Sequence, residues 1–249
     1  MSRALALALA FLAALVLAVP AAAELQLPAA DVQVAVDHDG SIIVNENITF
    51  VGTFHGGYRD IPLREGESIS EIAVLEAGSP YERGGSVELG SIDVPGTFNT
   101  IPIGDTQRIV WHYSNPSGGP RTFTIAYRLS GLAVAYDDVV DVNLKVWGDQ
   151  WETRLDRLTA EMILPGPVSG AAFRAWGHPV SVRGDVALGD DRVFLRAVDI
   201  PPKQFVELRA VFPRELLDST AGAKAVSGAA LDGIVAEEVE DAAAFEPSR

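Results

Sequence analysis

The sequence predicts an all-β protein, an antiparallel β-sandwich built as one large unit or two small ones, with a short acidic tail that is either helical or disordered. Three observations predict it. From Asp31 to Phe212 apolar residues recur with a period of two, the mark of strands that bury one face. The runs are short, and Gly, Pro, Asn and Asp clusters separate them, as in sheets packed face to face. No long helical pattern separates consecutive runs, which argues against a parallel α/β sheet.

The chain opens on a secretory leader, residues 1–23. Arg3 supplies the positive start, Ala4 to Ala18 is an unbroken apolar run, and Ala21-Ala22-Ala23 offers the small side chains a signal peptidase accepts, with cleavage before Glu24. The run is shorter than the ~20 residues a membrane-spanning helix needs. Export is therefore expected, to the cell envelope or beyond it.

In the next element Val32, Val34 and Val36 alternate with polar neighbours, and Asp39-Gly40 marks a hairpin turn. Ile42, Val44, Ile48 and Phe50 line one face of the returning strand. Ile109, Trp111 and Tyr113 form a further run, and Phe123, Ile125, Tyr127 and Leu129 another, with the turn cluster Asn115 to Pro120 between them. Val140 to Val146, Leu158 to Leu164, Val193 to Ala197 and Val206 to Phe212 complete the pattern. A boundary near Gly131 to Asp138 would divide a domain spanning 24–213 into 24–132 and 133–213; one continuous unit is the alternative. Residues 214–249 are rich in Ala, Glu and Asp, and Leu231, Ile234, Val235 and Val239 recur at helical spacing, which predicts a helix over Leu231 to Ala244.

Composition narrows function by exclusion. With 19 Lys and Arg against 34 Asp and Glu the net charge is −15, or −16 once Arg3 leaves with the leader. Such a surface repels nucleic acid and anionic lipid and favours cationic, neutral-sugar or protein partners. The absence of cysteine removes thiol nucleophiles, zinc–thiolate sites and iron–sulfur clusters. A hydrophobic content of 48% is far above that of disordered chains. No cofactor is implied.

Four residues are candidate ligand contacts. Tyr58 and Arg59 follow Gly56-Gly57, which would permit a tight loop; Arg59 can grip a carboxylate or phosphate with two nitrogens and Tyr58 can stack. The competing reading is an ion pair of Arg59 with Glu46 that ties the loop to the sheet. Trp147 and Trp151 bracket a turn and could line one rim as a carbohydrate platform, or else plug the end of the core. Asp137, Asp138 and Asp141 could hold calcium or cap turn amides. His38, His55, His112 and His178 are scattered without metal-ligand spacing, and no serine-nucleophile motif occurs. No catalytic residue is identified, and no metal site is expected.

Two stretches taken together carry a resemblance. The first is Gly40 to Phe50 with Phe54-His55-Gly56-Gly57-Tyr58-Arg59-Asp60-Ile61-Pro62. The second is Tyr136-Asp137-Asp138 leading through Val142 to Trp151 and closing on Leu164-Pro165. The combination resembles the DUF2207 family of predicted membrane proteins of unknown function. The resemblance covers about residues 24–213. It implies an extracytoplasmic β-domain after a signal peptide, then an acidic helical linker and transmembrane helices. The chain departs from that pattern by stopping at Arg249, so anchoring would run through sequence beyond it. The family carries no accepted catalytic residues. The leading expectation is a non-catalytic extracytoplasmic module that binds an envelope component, a membrane-protein partner or a neutral glycan. A secreted glycan-acting enzyme using paired carboxylates and a structural spacer above the membrane are the alternatives.

Overall fold

The computed structural model describes residues 25–245, apart from Ser169 and Ala171. The leader expected over residues 1–23, with cleavage before Glu24, lies outside the described residues. Thirteen strands of five residues or more run in chain order: β1 (Gln26–Val36), β2 (Ile42–Val51), β3 (Gly56–Pro62), β4 (Ser68–Glu76), β5 (Thr97–Ile103), β6 (Thr106–His112), β7 (Arg121–Ser130), β8 (Val139–Trp147), β9 (Leu155–Ile163), β10 (Arg174–His178), β11 (Gly184–Leu188), β12 (Arg192–Ile200) and β13 (Val206–Pro213). Among the described residues one α-helix, α1, spans Leu231–Ala244. The fold is all-β, as the period-two pattern predicts.

The strands form three sheets. The largest has the order β11-β12-β9-β1-β2-β7-β4, extended by a two-residue strand at Ser79–Pro80. The second has the order β10-β13-β8, continued by Val134–Ala135 and Lys224–Ala225. The third is β3-β6-β5 with Glu82–Arg83. The large sheet draws on strands from both sides of Gly131 to Asp138, and one apolar core runs through all three sheets.

The local chemistry explains these elements. At the β1–β2 hairpin Gly40 sits at φ 82°, where a Cβ would be strained, and Asp39 accepts bonds from the N–H (2.8 Å) and hydroxyl (2.6 Å) of Ser41. Along β2 the residues Ile42, Val44, Ile48 and Phe50 are buried on one face, each worth about 1.5–3 kcal/mol of burial. Their partners on β7 are Leu129, Tyr127, Phe123 and Arg121. The sheets differ from a purely antiparallel plan in one principal pairing. β1 runs parallel to β9, with Leu27 opposite Leu155 and Val34 opposite Met162. Between β2 and β9 the chain adds β4 and β7 to the large sheet and passes through both smaller sheets, then re-enters beside β1 in the same direction as β1 itself.

The segment after Pro213 folds back onto the body. Asp218 N and Gly222 N donate to His38 O and Asp39 O at 2.8 Å, and Gly131 N donates to Gly222 O at 2.7 Å. The predicted helix is present with the bounds expected, but its packed face is different. Ile234 and Glu238 are buried, while Val239 is 64% exposed. Asp138 supplies the N-terminal cap from a distance, accepting the N–H groups of Ala230 (2.8 Å) and Leu231 (3.1 Å).

Candidate binding cleft beside the edge strand

The predicted loop at Tyr58-Arg59-Asp60 is a strand. β3 lies at the edge of its sheet and pairs with β6 from Gly56↔His112 to Pro62↔Thr106. Gly56 and Gly57 serve close approach rather than a turn. A Cβ on Gly57 would lie 2.5 Å from the Trp111 ring, and one on Gly56 would lie 2.8 Å from the Trp111 carbonyl oxygen. Trp111 is wholly buried, so only glycine fits above it.

Strand alternation sends Tyr58 outward and Arg59 inward. Tyr58 is 40% exposed, with the Arg108 guanidinium 5.1 Å from its ring centre. Arg108 in turn grips Asp60 at 2.7 and 2.6 Å. Arg59 is buried against Glu46, with Nε donating to Oε2 at 2.8 Å and Nη2 to Oε1 at 2.9 Å. Its third nitrogen, Nη1, donates to the Asp60 carbonyl. Tyr127 donates its hydroxyl to Glu46 at 2.7 Å. The ion pair with Glu46 that the sequence offers as the alternative reading of Arg59 is therefore present. Burial alone would lower the Arg59 pKa, but the charge and hydrogen bonds of Glu46 hold it above its ordinary value. Burial, then the neighbouring Glu46 charge, pushes the Tyr127 hydroxyl well above its usual range.

The two tryptophans are not an exposed platform. Trp147 and Trp151 stack with ring centres 4.7 Å apart and planes 7° from parallel. Both are buried, because Trp147 ends β8 inside the core and Trp151 folds over it. Trp151 nevertheless faces a cavity of about 260 Å³, shared with Phe50, Phe54, Tyr58, Arg59 and Tyr113. Its ring lies 6.0 Å from that of Phe50, and the Arg59 guanidinium is 5.9 Å from its centre. Burial pushes the Tyr113 hydroxyl up to about 12. Of the four candidates, the structure brings Tyr58, Arg59 and Trp151 to one cavity and leaves Trp147 behind Trp151.

Two groups beside this cavity are unspent. Trp151 Nε1 and Gln150 Oε1 are buried and have no hydrogen-bond partner among the described residues. A donor and an acceptor thus stand on successive residues, and both residues line the cavity. Buried polar groups are ordinarily paired, and these two lie behind the cavity wall, where an ordered water is their ordinary partner. Phe50, Phe54 and Gln150 belong to the site although sequence reading did not single them out. Phe50 reads as an ordinary core position, and Gln150 carries no pattern.

The aspartates of the Asp137 to Asp141 turn do not converge. Asp137 accepts from Gly228 N at 2.8 Å, Asp138 caps α1, and Asp141 pairs with Arg209 at 2.7 Å. No cluster of three His, Asp or Glu side chains able to hold a metal occurs among the described residues.

A family profile described as "Predicted membrane protein (DUF2207) N-terminal domain" matches residues 26–212. The chain belongs to this family. The match ends within β13 and so takes in β3, the Trp147–Trp151 turn and the cavity between them. Among the described residues of this DUF2207 domain, no helix is long and apolar enough to cross a membrane. No curated protein matches. Solved structures align at low similarity. A putative protease from Parabacteroides distasonis is 10% identical, covering 76% of this chain and 41% of its own, with TM-score 0.42. An M1 zinc metallopeptidase from Deinococcus radiodurans is 9% identical, covering 74% and 42%, with TM-score 0.37. Leukotriene A4 hydrolase from Saccharomyces cerevisiae is 11% identical, covering 75% and 29%, with TM-score 0.44. The DUF2207 chain thus spans less than half of each.

Proposed function

We propose that this DUF2207 domain is a non-catalytic binding module held outside the cytoplasm, and that it takes an envelope component or partner protein at the cavity beside β3. One observation carries the reading. An aromatic cavity of about 260 Å³ opens to solvent between Phe50, Phe54, Tyr113 and Trp151, with Tyr58, Arg59 and Asp60 supplying polar groups along its wall. Such a pocket, apolar with a few placed polar groups, is the form small binding sites take. A spacer has no need of it.

The same site gives little support to hydrolysis. A two-carboxylate mechanism needs one acid kept protonated near neutral pH. The carboxylates lining the cavity are Asp60 and Glu152. Asp60 is spent on Arg108, and Glu152 is held below its ordinary range by its bond to Lys203 at 2.7 Å.

The test is fluorine NMR of the chain labelled with 5-fluorotryptophan, titrated with N-acetyl-tryptophanamide. The Trp151 signal is expected to move saturably in the millimolar range while that of Trp176, on β10 away from the cavity, stays still. A Trp151 signal that never moves would remove the cavity as a ligand site. Turnover of any glycan by the purified chain would remove the non-catalytic reading. A reporter fused after Ala244 that is active only outside the cytoplasm checks the location.

A further inference from the structure

We infer that β3 is a docking edge, to which a partner polypeptide adds as an extended strand through a segment carrying an aromatic or branched residue between basic ones. The inference rests on the binding reading above and names the class of ligand.

The β3–β6 ladder fixes which backbone groups are free. At its ends Tyr113 N donates to His55 O at 2.9 Å and Leu63 N to Asp105 O at 2.8 Å. Bonded pairs alternate in an antiparallel ladder. With the observed register, Gly57, Arg59 and Ile61 therefore turn their N–H and C=O groups toward β6. Gly56, Tyr58 and Asp60 turn theirs the other way, to the side where no strand of the sheet pairs. Arg59 Nη1 occupies the Asp60 carbonyl, and Pro62 has no N–H to offer. What remains open is both groups of Gly56 and Tyr58 and the N–H of Asp60. This is the row of donors and acceptors that strand addition uses.

Cavities flank this edge on both faces of the sheet. On the face that carries Gly57 and Arg59 lies the aromatic cavity. On the face that carries Gly56, Tyr58 and Val110 lies a second, of about 380 Å³, beside Leu89 and Ile92. Leu89 is 44% exposed and Ile92 is 74% exposed. An added strand directs successive side chains to opposite faces. One residue of it would enter the aromatic cavity and its two neighbours the second.

Charge selects the occupant. The cations at this edge are already spent, Arg59 on Glu46 and Arg108 on Asp60. Glu88, on the second cavity, has no cationic partner among the described residues, and Glu152, though paired with Lys203, keeps its side chain 74% exposed. A second copy of a chain with net charge −15 is repelled, whereas a basic segment is drawn in.

The test uses the full chain labelled with 15N and an acetylated, amidated peptide, Lys-Thr-Lys-Val-Trp-Val-Lys-Thr-Lys. Amide exchange is followed at Gly56, Tyr58 and Asp60. Strand addition predicts exchange at least about tenfold slower at these three amides when peptide is bound. N-methylation of alternate peptide amides in one phase should abolish binding, and in the other phase leave it unchanged. If the peptide shifts the Trp151 fluorine signal but exchange is unaltered and both methylated peptides bind alike, strand addition is overturned while the cavity stands as a binding site. If cellotetraose moves that signal and the peptide does not, the ligand is a glycan and the inference fails. Slowed exchange that grows with protein concentration and needs no peptide would mean self-association instead. If neither probe touches the edge or the cavity, the inference and the binding reading fall together.

Discussion

Arg59 and Arg209 each grip a carboxylate through two nitrogens, yet they sit in different surroundings. Arg59 and Glu46 are sealed between two sheets, with side chains 4% and 3% exposed. Arg209 lies on the outer side of β13, bound to Asp141 at 3.0 and 2.7 Å and to Glu238 at 2.7 Å and Glu237 at 3.0 Å. Its carboxylates come from two places, one on β8 and two on α1; Glu237 is 59% exposed, while Glu238 is 4% exposed and is covered only by the helix itself. The first pair fixes one wall of a cavity and can relax nowhere. The second fastens a single helix whose apolar contact is small, Ile234 against Val139 and Val211. Burial therefore decides whether an arginine network holds the whole fold or only one detachable part.

The largest effect is expected at the sealed pair. Glu46→Ala leaves the Arg59 charge and the Tyr127 hydroxyl buried without their acceptor, and should lower stability by about 3–5 kcal/mol in denaturant unfolding. Joint replacement by Leu at 46, Met at 59 and Phe at 127 should recover most of that loss, because apolar groups of similar volume need no acceptor. A single variant costing under about 1 kcal/mol would show that water reaches the pair and that the cavity wall is not sealed.

The outer network should break more gently. Arg209→Ala should cost about 1.5–3 kcal/mol in all, because α1 can detach and return Glu237 and Glu238 to water. The loss should be local. Amides of Leu231 to Ala244 should exchange faster while those of β1, β2 and β7 keep their protection. Equal loosening of helix and strands would contradict the contrast with Arg59.

The same contrast explains what could be read from the sequence. The apolar faces of β2, β7, β8 and β13 announce themselves because their alternate residues, Glu46 of β2 apart, are Val, Ile, Leu, Ala or aromatic. The helix is legible from its spacing and composition. β3 is not, because Gly56, Gly57 and Pro62 are strand-poor residues and one of its two buried positions is an arginine, the other being Ile61. The reason lies outside the segment, in the Trp111 ring above which only glycine fits and in Glu46 waiting in the facing sheet. Glu46 is itself a signal, a lone charge at the centre of the buried face Ile42, Val44, Ile48 and Phe50. The parallel pairing of β1 and β9 is set by a return of the chain over more than one hundred residues, which no local pattern records. Tyr58 and Arg59 were visible as a cluster. The cavity was not, since it depends on where β3 and Gln150 to Thr153 come together in space.

The smallest effect separates a rim charge from both networks. On the edge side of the large sheet Glu76 accepts from Arg121, with Nη2 to Oε2 at 2.6 Å, and from the Tyr81 hydroxyl at 2.9 Å. The Arg121 bond holds the Glu76 carboxyl below its ordinary 4.5. A carboxyl whose folded pKa is depressed stabilises the fold fully above its unfolded value and loses that contribution as pH falls through the folded one. Glu76→Gln should therefore cost about 1 kcal/mol or less at neutral pH, since the pair is partly open to solvent. The gap between wild type and variant should hold steady down to about pH 4.5 and close below it. Other carboxylates titrate in the same range, but they are common to both chains and cancel in the difference. A gap that widened on acidification would mean that the folded state prefers Glu76 protonated, and that burial outweighs the bonds from Arg121 and Tyr81.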